Sequence, residues 1–186
     1  MLLFSGHRVD APGRATPRLP NEPAALARAA RAIGEVLDGL DAGARDLALT
    51  QGANGGDLLF TAEALARGVD VRWLQPLDEA AFIAASVAPA GDAALRAYAL
   101  LRARLSQPPR ALPDILGHPV DATADPWRRG NRWLIDTARA YGLSKLQCIC
   151  LWDFERPDNE GGTAAMIEDA RHFTSRIFLI DCRALS

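Results

Sequence analysis

Five short apolar runs place the strongest limit on this fold: residues 2–5, 46–50, 69–74, 145–152 and 176–180. Hydrophobic side chains fill them almost without a break. A sheet with one wet face would instead alternate apolar and polar residues. Strands of this kind need cover on both faces, and the segments between them have the spacing to supply it. A helix is predicted from a cap at Asn21, with Pro23 in its first turn, to about Leu40. Others are predicted over about 56–67, stopped by Gly68, over 78–87, capped by Asp78, and over 92–105, 126–142 and 163–173.

Strands alternating with helices predict an α/β fold. The expected form is a single doubly wound, Rossmann-like domain over residues 1–186, with a mostly parallel five-stranded sheet and helices on both faces. The default strand order for that arrangement is 3-2-1-4-5. Two segments resist the scheme. Residues 9–20 carry Pro12, Gly13, Pro17 and Pro20 with Arg8, Arg14 and Arg18 alongside, and follow the first strand, where open sheets bind ligands. Residues 106–125 carry Pro108, Pro109, Pro113 and Pro119 and read as a loop insertion, either a binding loop or a surface excursion.

Composition narrows the function classes. The chain is 49% hydrophobic and 24% charged, with net charge -2 and pI near 5.9. A nucleic-acid tracker carries a basic excess, so nucleic acid is not an expected partner. No apolar run reaches membrane-spanning length, and Met1–Ser5 carries no basic segment of a signal peptide, so no membrane partner and a cytoplasmic location are expected. Lys145 is the sole lysine among the basic residues, and arginine suits planar phosphate contacts. Cys148, Cys150 and Cys182 lack a metal-ligand spacing and read as buried small hydrophobes; no metal or cofactor is expected.

Two glycine-rich turns carry the functional signal. Gln51-Gly52-Ala53-Asn54-Gly55-Gly56-Asp57 and Glu160-Gly161-Gly162-Thr163 each follow an apolar run and precede a helical stretch. Backbone N–H groups at such a junction face an anion at the positive end of the helix. The first turn lacks the Lys-Ser/Thr of a P-loop and does not fit G-x-G-x-x-G. Asp57 is either a cap of its helix or a ligand for a ribose hydroxyl. Thr163 would cap the last helix and reach a phosphate. Gly6, His7 and Arg8 would emerge at the carboxyl end of the first strand, with Arg8 suited to phosphate. Arg128, Asn131 and Arg132 share one predicted helix face. Trp127 and Trp133 flank them, Trp133 being the better core residue. Asp57, Asp153, Glu155 and Glu160 are the carboxylates near this edge. His118 has no visible partner, and His172 suits the negative end of the last helix.

The order and spacing of Ser5-Gly6-His7-Arg8, Gln51 to Asp57 and Glu160 to Thr163 resemble the SLOG superfamily, which includes LOG phosphoribohydrolases, DprA/Smf and YpsA-like proteins. The stretch from Gln51 to Pro76 looks most like the DprA and YpsA branch. The resemblance implies a Rossmann-like nucleotide-binding domain, with homodimerisation as a further expectation. LOG members cleave the N-glycosidic bond of nucleoside monophosphates with P-G-G-x-G-T-x-x-E and an arginine from another helix. Here Met166 stands at the glutamate's place and Glu168 lies two positions on. Arg128 or Arg132 would match the arginine.

The leading expectation is a nucleotide or nucleotide-derivative binding domain, a sensor or regulatory module, whose ligand phosphate lies between the two turns. Its expected contacts are Gly6, His7, Arg8, Gly52, Asn54, Gly55, Gly56, Asp57, Arg128, Asn131, Arg132, Gly161, Gly162 and Thr163. The alternative is a nucleotide N-glycoside hydrolase, with Glu160 or Asp153 replacing the missing glutamate. Single-stranded DNA binding ranks third, against the acidic pI.

Overall fold

The apolar runs become strands whose successive residues serve opposite faces of one sheet. A computed structural model describes residues 1–10, 17–112, 125–155 and 162–185. Its strands are β1 (Leu2–Gly6), β2 (Leu47–Thr50), β3 (Asp70–Gln75), β4 (Arg110–Ala111), β5 (Gln147–Trp152) and β6 (Ile177–Asp181). The helices are α1 (Pro23–Gly39), α2 (Gly56–Ala66), α3 (Glu79–Ser86), α4 (Asp92–Arg102), α5 (Pro126–Arg139) and α6 (Thr163–Arg171). The sheet order is β4-β3-β2-β1-β5-β6 and every pairing is parallel. For the five runs read from the sequence, this is the expected 3-2-1-4-5 order.

The sheet has six strands rather than five. The extra one, β4, lies in the segment read as a loop. It is a two-residue edge strand beside Leu74 and Gln75, prolonged by Leu112 N–H donating to the Gln75 carbonyl at 2.8 Å. Arg-Ala after two prolines has no strand signature. Backbone pairing with an open edge makes this strand, and an edge tolerates nearby proline. Residues 113–124 of the proline-rich segment, including His118, lie outside the described residues.

Each face has its own core. Leu2, Phe4, Ala48, Val71, Trp73, Ile149 and Leu151 meet buried residues of α1 and α2, with Phe82 and Tyr98 joining from α3 and α4. Phe4 stacks on Phe60 with ring centroids 4.4 Å apart. Across the sheet, Leu3, Leu49, Leu74, Cys148 and Cys150 meet Trp133, Leu134, Ala138, Met166 and Ile167. All three cysteines are buried and free. Burying an aliphatic or aromatic side chain contributes about 1.5–3 kcal/mol, so two such cores supply the main stabilisation. Among the described residues, no helix is long and apolar enough to cross a membrane.

Two helix starts differ from expectation. The residue before α1 is Glu22, with no side-chain cap, while Asn21 donates to the Ala90 carbonyl at 3.3 Å. Gly162 precedes α6, so Thr163 is its first helical residue rather than its cap. Asp78 and Asp125 do cap α3 and α5, accepting from Ala81 N–H and Trp127 N–H.

Candidate functional site

In this strand order, chain connections leave β1 toward β2 on one side, while β5 and β6 lie on the other. The crevice beyond the carboxyl ends of β1 and β5 is therefore the topological switch point, where open α/β sheets take ligands. A cavity of about 180 Å³ lies there. Its walls include Gly6 at the end of β1 with His7 and Arg8 after it, Arg18 from the segment before α1, Gln51, Ala53 and Asp57 from the first glycine turn, Ser86 from α3, Trp152 at the end of β5 and Glu155 after it. The start of α6 contributes Gly162, Thr163 and Ala164.

Helical phase decides what α5 presents. Trp127, Asn131 and Leu134 line the cavity at i, i+4 and i+7. Arg128 and Arg132, one position further round, are half-buried and exposed respectively and are not in the wall. Asn131 is the residue that joins the two glycine turns. Its Oδ1 accepts from Gln51 Nε2 at 3.0 Å and its Nδ2 donates to the Gly162 carbonyl at 3.4 Å. Gly130 lets α5 come this close, since a Cβ there would stand 2.9 Å from Pro76 Cβ. Asn131→Ala is expected to lower stability by about 1–3 kcal/mol, because buried polar partners lose their bonds. Urea unfolding with an unchanged m value checks this.

Three amides of the first glycine turn are committed within the fold. Asn54 N–H donates to the Ser86 carbonyl and Gly56 N–H to the His7 carbonyl, both at 2.9 Å. Ala53 N–H donates to Asp57 Oδ2 at 3.2 Å. The anion this turn cradles is its own Asp57. Asp57 is 5% exposed, and burial pushes its carboxyl pKa up to about 6 against the pull of the Ala53 N–H. Asn54 is committed as well: Oδ1 accepts from Val9 N–H at 3.0 Å and Nδ2 donates to the Ser86 carbonyl at 2.6 Å. The glycines serve close packing. Gly52 lies against the Trp73 indole, Gly55 against the Val9 backbone, and Gly6 and Gly56 against each other.

The second turn differs. Among the described residues no side chain caps α6, and its first residues face the cavity. Helix-start amides have no intrahelical acceptor, so this is where an anion finds free donors. Glu160 and Gly161 lie outside the described residues. Met166, three residues after Thr163, is fully buried in the core, and Glu168 is exposed.

His7 and Asp153 bridge the ends of β1 and β5. His7 Nε2 is 3.0 Å from Asp153 Oδ1 and accepts the Asp153 backbone N–H at 3.2 Å. Neutral, Nε2 takes that N–H; protonated, it donates to the carboxylate. Burial lowers the His7 pKa below the ordinary histidine value, outweighing the upward pull of Asp153. Burial alone would raise Asp153, but the His7 bond, the Glu155 N–H and Arg18 hold it below the usual carboxylate value. Arg8 donates to the Ala85 carbonyl at 3.0 Å.

No protein-family model matches the chain, and no curated protein matches its sequence. The geometry therefore carries the functional reading. It brings Gly6, His7, Arg8, Asp57, Asn131, Gly162 and Thr163 to one cavity. Gly52, Asn54, Gly55 and Gly56 lie behind its wall. Arg18, Gln51, Ser86 and Trp152 were not among the expected contacts. Gln51 adjoins a glycine turn and Arg18 follows the first strand, so position alone could have marked both.

Proposed function

We propose that this chain is a nucleotide or nucleotide-derivative binding domain, a sensor or regulatory module that takes its ligand's phosphate at the start of α6. The observation that carries this reading is the uncapped α6 N-terminus opening on the switch-point cavity. Trp127 and Trp152 in the wall offer flat apolar surface for a base. At about 180 Å³ the cavity is smaller than the roughly 300 Å³ at which pockets for drug-sized ligands begin. It suits a phosphoribosyl-sized part of a ligand, with the remainder toward the mouth. The likeness to the SLOG superfamily supports the same reading, and cytoplasmic placement and a homodimer go with it as expectations.

This phosphate position differs from one between both glycine turns, because the first turn already holds Asp57. N-glycoside hydrolysis is the weaker reading, since α6 offers buried Met166 and outward Glu168 in place of a catalytic glutamate. Single-stranded DNA binding ranks last, given a pI near 5.9.

Thermal unfolding with AMP, ADP-ribose, NAD and cyclic dinucleotides tests the proposal. A true ligand at a hundred times its Kd adds about 2.7 kcal/mol. For a chain of this size that is a rise in Tm of roughly 5–10 °C. Absence of any shift across the panel would overturn the reading.

A further inference from the structure

We propose that Arg18 is the side chain that grips the ligand's phosphate, facing the start of α6 across the cavity. This rests on the nucleotide-binding reading above and adds the residue that would supply its positive charge.

The backbone around Arg18 is fixed by Asp10. Asp10 Oδ2 accepts from Arg18 N–H at 2.7 Å and from Leu19 N–H at 2.9 Å, and Asp10 N–H donates to the Leu19 carbonyl at 2.9 Å. Leu19 is sealed in the core at 1% exposure. The guanidinium is thus delivered to the cavity by a closed, anchored loop end. Its Nε lies 3.8 Å from Asp10 Oδ1 and 3.9 Å from Asp153 Oδ2. Both carboxylates orient it by charge, yet neither is within hydrogen-bond reach.

Among the described residues, Arg18 Nε is buried without a hydrogen bond. A buried polar group left in that state costs free energy and calls for an explanation. Arg18 lines the cavity, and its side chain keeps 28% exposure, so the terminal nitrogens have a way out to a ligand. An arginine fork takes two phosphate oxygens side by side, and the α6 amides can take another. Asp10 and Asp153 hold the fork in place beforehand, which lowers the ordering cost of binding. They also offset part of its charge, so the hydrogen bonds rather than net charge give the grip. Arg8, the arginine expected from the sequence, has its Nη1 on the Ala85 carbonyl instead.

The test is calorimetric titration of the full chain with AMP, ADP-ribose, adenosine and inorganic phosphate at low salt. The readout is the ratio of affinities for AMP and adenosine, which a merely structural role for Arg18 would leave unchanged. The wild type is expected to favour AMP by at least about tenfold. Arg18→Gln is expected to bring that ratio close to one while adenosine binding persists. Arg18→Lys, which keeps charge without the fork and guards against a misfolded glutamine variant, is expected to keep part of it. Arg31→Gln, on the exposed side of α1, serves as the control and keeps the full ratio. An AMP preference that survives both Arg18 substitutions overturns the assignment of Arg18 alone. Failure of the wild type to bind any phosphorylated probe overturns the nucleotide reading itself, and the Arg18 role with it.

Discussion

Gly55→Ala is expected to destabilise the fold by about 3–5 kcal/mol, enough to leave much of the protein unfolded or insoluble. Gly55 has φ +80°, and a Cβ there would stand 2.6 Å from Val9 N and 2.8 Å from the His7 carbonyl oxygen. Those are backbone atoms of the β1 exit and cannot rotate away as a side chain would. The same exit accepts Gly56 N–H at the His7 carbonyl, so a displaced turn also loses that bond. Gly91→Ala separates the two causes. Gly91 has φ +87° but nothing within 4 Å of a Cβ, so only the backbone strain applies, about 1–2 kcal/mol. Urea unfolding of the two variants measures the gap. Equal losses would mean that close packing at Gly55 contributes nothing.

The second large effect concerns pH. Burial raises the Asp57 carboxyl from 3.8 to about 6. The native state then holds this proton more tightly than the unfolded chain. Stability from this group falls as pH rises from about 4 through 6, by on the order of 3 kcal/mol across the window. Asp57→Asn keeps an acceptor for the Ala53 N–H and removes the buried charge. The wild type is therefore expected to gain on the variant by roughly that amount between pH 8 and pH 4. His7 runs the other way, since its lowered pKa makes stability fall as pH drops below the ordinary histidine value. It is present in both proteins and cancels in the comparison. Unfolding free energies of the pair across this range, with carboxyl NMR titration of Asp57, check the sign. A flat difference would mean that Asp57 titrates as an ordinary carboxylate.

Much of the candidate site was legible before any tertiary structure, because doubly wound sheets bind ligands where strands end. The sequence placed Gly6, His7 and Arg8 after the first strand and Thr163 at a helix start, and the cavity gathers all four. It could not show what their neighbours already hold. The first glycine turn has the composition of an anion cradle, yet the anion is Asp57, four residues on from Ala53. Asn54 has the chemistry of a ligand contact, yet both its polar atoms are taken by the backbone. Arg128 and Arg132 share a helix side with Asn131, but a step of one residue turns a side chain by about 100°, enough to leave the wall. The strand β4 has no pattern of its own and exists only against β3.

The sequence by itself determined the α/β class, the parallel sheet with two covered faces and the edge at which chemistry would collect. Those follow from hydrophobic period and from turn residues, which are local. Only the tertiary structure decided how the two glycine turns differ, that Asn131 joins them, and that of the two arginines in the cavity wall Arg8 is tied to the Ala85 carbonyl while Arg18 Nε has no hydrogen bond among the described residues. Each of these depends on which donors and acceptors meet across the fold. A chain pattern lists the groups; close packing decides which are satisfied from within and which are left for a ligand.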